Sequence, residues 1–109
     1  MIYVQSGRND KYPEQIETWR KGESLPSWIS DNCKIIGMEG TNLIPEIRGV
    51  HGGGYEIVRE NGSALVSTKN EKDYICLGDG KIFSLTEKQL NLLYKILIGE
   101  NKKKINNYE

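Results

Sequence analysis

Asn61-Gly62 stands between two runs of strand-forming residues, Tyr55 to Glu60 and Ala64 to Thr68. Asn-Gly in that setting is the strongest short-range hairpin signal, because a tight hairpin needs positive φ at both central residues. The same pattern returns at Gly78-Asp79-Gly80, flanked by Tyr74 to Leu77 and Lys81 to Leu85. Between the two hairpins, Asn70-Glu71-Lys72-Asp73 reads as a further turn. Residues 55–85 are therefore expected to form an antiparallel meander. The chain holds 12 glycines in 109 residues, many beside Asn, Asp or Ser, which is turn chemistry rather than low complexity.

The flanking segments read differently. Met1 to Gln5 is a short strand, ended by Ser6-Gly7-Arg8-Asn9-Asp10. Pro13 suits the first position of a helix, Glu14 and Glu17 favour its positive end, and Gly22 offers a stop. Ile16, Trp19 and Arg20 fall on one face of that helix. Pro26 starts a single helical turn carrying Trp28 and Ile29 inward, before Ser30-Asp31-Asn32. Cys33 to Met38 is a strand bounded by Glu39-Gly40. Pro45 demotes Leu43 to Val50 to an edge strand or an irregular crossing.

Near the C-terminus, Thr86 and Gln89 form a capping box, and Leu85 and Leu90 match a hydrophobic staple. Leu90, Leu93, Tyr94 and Leu97 recur at helical spacing. Leu92, Ile96 and Ile98 widen that face, so a helix from Thr86 to Gly99 is either deeply buried or the contact of a homodimer. The expected fold class is α+β, an antiparallel β-meander sheet of five to seven strands with short N-terminal helices and a packed C-terminal helix. One domain over 1–101 is expected, with 102–109, including Lys102-Lys103-Lys104, as a frayed tail.

Fifteen basic residues balance fifteen acidic ones, so no net field draws the chain onto a phosphate backbone. Lys34, Arg48, Arg59, Lys69, Lys72 and Lys81 are dispersed among acidic neighbours, and direct nucleic-acid binding is not expected. No stretch with signal-peptide character and no membrane-length apolar run occurs, so the cytoplasm of a bacterial host cell is the expected location. Cys33 and Cys76 lie in separate apolar runs and read as buried, reduced thiols.

His51-Gly52-Gly53-Gly54 is the string with most chemical promise. In esterases such a run surrounds an oxyanion, but the required Gly-x-Ser-x-Gly is absent. A glycine loop also cradles phosphates, and Arg48 and Arg59 flank this one, yet neither phosphate-binding signature is present. Cys33, His51 and Cys76 lack the paired spacing of metal ligands. No cofactor, no metal site and no catalytic residue is expected. Tyr55, read as exposed beside the loop, completes a candidate binding surface of Arg48, His51, Gly52, Gly53, Gly54, Tyr55 and Arg59.

The segment Lys72-Asp73-Tyr74-Ile75-Cys76-Leu77-Gly78-Asp79-Gly80-Lys81-Ile82-Phe83, followed by Tyr94, resembles small phage-encoded proteins named for a Pro-Gly-Asp-Tyr-Gly motif. Leu25-Pro26-Ser27-Trp28-Ile29 is similar to a Pro-x-Trp-Ile segment near their start. Glu71-Lys72 stands where that motif has Pro-Gly, and the closing helix is longer here. The resemblance implies a phage or prophage accessory protein with a compact β-rich fold and no catalytic site.

The function expected from these readings is a non-catalytic protein-binding module. Its partner would be a host protein, and it would inhibit a host enzyme or defence system in the manner of an anti-CRISPR. The alternative is an oligomeric binder that sequesters a nucleotide-like signal through the Arg48 to Tyr55 loop.

Overall fold

The computed structural model describes residues 1–98. In chain order its elements are β1 (Ile2–Gln5), β2 (Gln15–Trp19), α1 (Ser27–Ser30), β3 (Ile35–Glu39), β4 (Asn42–Pro45), β5 (Ile47–Gly49), β6 (Tyr55–Val58), β7 (Ala64–Ser67), β8 (Tyr74–Gly78), β9 (Lys81–Leu85), α2 (Glu87–Leu93) and β10 (Tyr94–Ile98). The described residues are mostly antiparallel strands, with two short helices. They form a five-stranded sheet in the order β10-β1-β2-β8-β9, a three-stranded sheet β5-β6-β7, and a two-stranded sheet β3-β4.

The helix expected after Pro13 is strand β2. It lies between β1 and β8, with Ile2 opposite Glu17 and Thr18 opposite Cys76. Ile16 and Thr18 alternate inward at 2% and 6% exposure, and ladder hydrogen bonds on both sides outweigh the helix-start signals of Pro13 and Glu14. Trp19 is core as expected, but from a strand, and its indole N–H donates to the Glu23 carbonyl at 3.0 Å. Gly22 serves a tight turn at φ +105° instead of a helix stop. The turn after Pro26 forms as read, with Ile29 fully buried and Trp28 half-buried.

Both hairpins form, but the single meander does not. β6-β7 belongs to the three-stranded sheet, whereas β8-β9 joins the five-stranded one through β2. The two sheets meet at β7 and β9, where the Ser84 hydroxyl donates to the Ser67 carbonyl at 2.9 Å. At Asp79-Gly80 both residues take positive φ (51° and 73°), as a two-residue turn requires. At Asn61-Gly62 only Gly62 does, at 92°. There, Gly62 N–H bonds Arg59 O and Arg59 N–H bonds Ser63 O, which makes a three-residue loop with glycine in the left-handed position. The Asn61 carboxamide instead accepts from Ser63 N–H and Oγ.

Pro45 ends β4, and the chain crosses at Glu46 into β5 of another sheet. Glu46 N–H donates to Lys34 O and Val58 N–H donates to Glu46 O, so this residue ties the base of the β3-β4 hairpin to the body.

The C-terminal helix is shorter than its apolar spacing implies. The capping box of Thr86 and Gln89 and the buried pair Leu85 and Leu90 start it as expected. It stops at Leu93, and Tyr94–Ile98 becomes an edge strand on β1 with Tyr94 opposite Gln5. The Tyr94 hydroxyl donates to the Pro13 carbonyl, which fixes that buried ring and turns the chain out of the helix. The long helical face on which the homodimer expectation rested is therefore absent; Gly99 and the 102–109 tail lie outside the described residues.

Two apolar clusters make the core. Trp19, Ile29, Cys33, Tyr55, Ile57, Val66 and Ile75 fill the space around the three-stranded sheet. Ile16, Cys76, Leu85, Leu90 and Tyr94 pack under α2. Both cysteines are buried and free. No helix among the described residues is long and apolar enough to cross a membrane.

Candidate functional surface

Strand alternation separates the residues that the sequence placed on one surface. Arg48 pairs with Glu56 across β5 and β6, and Glu56 with Ser67 across β6 and β7. The guanidinium holds Glu56 Oε1 at 2.7 Å through Nη2 and 2.9 Å through Nε, and donates to Gly62 O at 3.0 Å. Ser67 Oγ donates to the other carboxylate oxygen at 3.3 Å. Arg48 is thus a cross-strand strut on the solvent face, with its charge already met.

Tyr55, next along the strand from Glu56, points the opposite way and is 1% exposed. The reading of Tyr55 as an exposed contact residue is corrected: it sits in the core with the Lys21 ammonium 5.0 Å above its ring. Lys21 is held there by Glu71 at 3.1 Å. The Tyr55 hydroxyl is buried without a partner, and burial, then the charges of Glu71 and Asp73, push its pKa up to about 12.

The glycines of the loop have separate roles. His51, Gly52 and Gly53 are exposed, and Gly52 and Gly53 adopt φ of +102° and +107°. Gly54 is buried because its Cα lies against the chain at Thr68; a Cβ there would meet Thr68 O at 2.1 Å. Val50 N–H donates to Gly54 O at 3.0 Å, closing the loop on itself. This is a loop shaped by close backbone packing.

Chemical clusters are sparse. Among the described residues no group of three His, Cys, Asp or Glu side chains converges as a metal site. Asp73 is 3% exposed, and its carboxylate accepts the N–H groups of Lys69 and Asn70 at 2.9 and 3.1 Å, which stabilises the turn before β8. Burial pushes the Cys76 thiol to about 12 and raises that of Cys33, so both favour the unreactive neutral form. A cleft of about 780 Å³ runs between this turn and the start of α2; Glu71, Asp73 and Glu87 line it against Lys72 and Lys88, so it is slightly acidic.

Two features escaped the sequence reading. The first is the β3-β4 hairpin, a two-stranded sheet paired with no other strand among the described residues. Ile36, Met38 and Ile44 on it are 60%, 65% and 37% exposed, three of the seven large apolar side chains left in solvent among the described residues. Met38 lies opposite Leu43, and Ile44 lies opposite Gly37, so apolar groups project from both faces of this arm. Ile36 occupies the irregularity between the Ile35 and Gly37 pairings. The isolation of Leu43 to Pro45 by its proline was the available signal. The second is a cleft of about 270 Å³ where Arg59 meets Trp28 and Asn32 above Leu65, Leu77 and Ile82. It joins residues distant in sequence, and only the packed fold reveals it.

No known protein-family model, curated protein or solved structure matches this chain.

Proposed function

We propose that this chain is a non-catalytic, phage-type accessory protein that binds another protein through the β3-β4 arm. The partner is a host protein, and an enzyme of a bacterial defence system is the class that fits the phage-like hairpin segment. The reading is carried by the concentration of Ile36, Met38 and Ile44 on one hairpin. Single exposed apolar residues are ordinary, but a cluster on one projecting element is a feature of interaction sites. A two-stranded ribbon gains little stability alone, and an uncovered edge strand invites association. Lys34 and Glu46, 3.5 Å apart, close the base of the hairpin, and backbone bonds of both residues to Val58 tie that base to the body. The surface nominated from the sequence offers less, with Arg48 satisfied by Glu56 and Tyr55 buried.

The test replaces Ile36, Met38 and Ile44 together by threonine, which keeps strand propensity while removing the apolar surface. Wild-type protein immobilised over lysate of a phage-susceptible bacterium should retain one partner in stoichiometric amount. The triple variant, with an unchanged melting temperature, should lose it. Turnover of a substrate by the purified chain would instead end the non-catalytic reading.

A further inference from the structure

We propose that the Trp28–Arg59 cleft is a binding site for a carboxylate attached to a short apolar or aromatic group. This inference does not depend on the protein-binding role of the arm. The cleft is bounded by α1 on one side, by the residue that closes the β6-β7 hairpin on another, and by the β8-β9 hairpin beneath. Its floor is Leu65, Leu77 and Ile82, and Leu65, Ile82 and Trp28 pack directly on the main apolar cluster. A floor supported in this way is preformed, and its volume of about 270 Å³ admits a fragment-sized group.

The polar groups set the ligand class. Arg59 makes only a 3.4 Å bond from Nε to Ala64 O and has no carboxylate partner among the described residues. Its outer guanidinium nitrogens remain a planar donor fork, the geometry that matches a carboxylate in bidentate fashion. Asn32 is anchored by Nδ2 to Trp28 O at 2.9 Å, which leaves its Oδ1 without a partner in the described structure. The Trp28 indole N–H, beside the same cleft, is buried with no acceptor. Unmet buried donors are uncommon in native folds, and a group bound in the cleft is one thing that would account for this one. A single cation suits one unit of negative charge, whereas a phosphate site ordinarily gathers several donors. The apolar floor and indole face accommodate the group that carries the carboxylate.

The carboxylate has two possible sources, a free organic acid or the C-terminus of a peptide ending in an apolar residue. The probe is phenylacetate, titrated into the full chain and followed in ¹H–¹⁵N NMR spectra at the Trp28 indole N–H, the Asn32 carboxamide and the Gly80 amide. The expected result is saturable shifts confined to these groups, with a dissociation constant in the millimolar range usual for a fragment. Neutral phenylacetamide should bind about tenfold more weakly or worse. Arg59→Gln should lose binding to the same degree with the rest of its spectrum unchanged. Asn32→Asp, which sets a negative charge beside the site, is the second variant and should lose it too. Acetyl-Gly-Phe with a free C-terminus, compared with its amide, separates the sources: tighter binding than phenylacetate assigns a peptide, and equal or weaker binding assigns a free acid. Absent shifts at Trp28, equal binding of acid and amide, retention of binding in both variants, or the same response to inorganic phosphate would each overturn the carboxylate site.

Discussion

Gly54→Ala is the sharpest perturbation of this fold, because one added methyl group meets main chain and not a movable side chain. Its Cβ would lie 2.1 Å from Thr68 O, 2.7 Å from Thr68 C and 2.8 Å from Lys69 C. Ordinary contact requires a retreat of more than about 1 Å, and overpacking of that kind costs about 1–3 kcal/mol. The retreat also pulls on the link between Tyr55 and Thr68, in which Thr68 N–H donates to Tyr55 O at 2.7 Å and Tyr55 N–H donates to Thr68 Oγ1 at 3.1 Å. A buried group stripped of its partner costs about 1–3 kcal/mol more. The two together come to about 2–6 kcal/mol, and a loss of about 3 kcal/mol is already a large share of the 5–15 kcal/mol typical of a domain. For a chain of this size that loss lowers the melting temperature by roughly 12–24 °C. The internal control is Gly49→Ala, where the new methyl group meets nothing within 4 Å and φ is not positive. That change should stay within about 1 kcal/mol and stabilises if anything, through the unfolded chain. Thermal unfolding followed by circular dichroism decides the matter. If the two variants melt within a few degrees of each other, the close approach of Gly54 to Thr68 is refuted, and with it the structural reading of this loop.

Other expectations follow from the same structure. Tyr55→Phe removes a hydroxyl that is buried without a partner, so stability at neutral pH should be unchanged or raised by up to about 1 kcal/mol in urea denaturation. Tyr55 and Cys76 titrate near 12 when folded against about 10 and 9 ordinarily, so folding favours their protonated forms. That contribution is fully present below pH 9 and is lost as pH rises toward 12; Tyr55→Phe should flatten the alkaline fall in unfolding free energy. Native Cys76 should resist a maleimide at pH 8 while urea-unfolded protein reacts, as mass spectrometry would record. Thr86→Ala, which removes the acceptor of the 3.1 Å bond from Gln89 N–H, should cost about 1 kcal/mol by the same denaturation assay.

Local chemistry made part of this architecture legible in the sequence. Asp79-Gly80 turned as its φ preferences demand, Thr86 and Gln89 capped a helix, Pro26 began a turn, and Pro45 broke a strand. The failures share a cause, since each is a segment whose partner decides its form. Gln15 to Trp19 has helix-start residues before it, but the edges of β1 and β8 claim its backbone. Tyr94 to Ile98 continues a helical apolar spacing, yet pairing with β1 and the anchor on Pro13 O make it a strand. Alternation explains the site. Arg48 and Glu56 face solvent while Tyr55 faces the core, a division that a run of adjacent residues conceals until the strand register is known. Of the nominated residues, Arg59 lines a cleft with Trp28 and Asn32, a grouping that no sequence proximity reveals.

The central claim, protein binding through the β3-β4 arm, is tested most directly by photocrosslinking from the arm itself. A benzophenone amino acid in place of Met38, 65% exposed, is compared with the same probe in place of Ser63, an exposed turn residue. After irradiation in lysate of a susceptible bacterium, the account predicts one discrete adduct from position 38 and none from position 63. It also predicts that unlabelled wild-type chain competes that adduct away, and that the Ile36→Thr and Ile44→Thr double variant does so poorly. No adduct from position 38, or the same adducts from both positions, would contradict it.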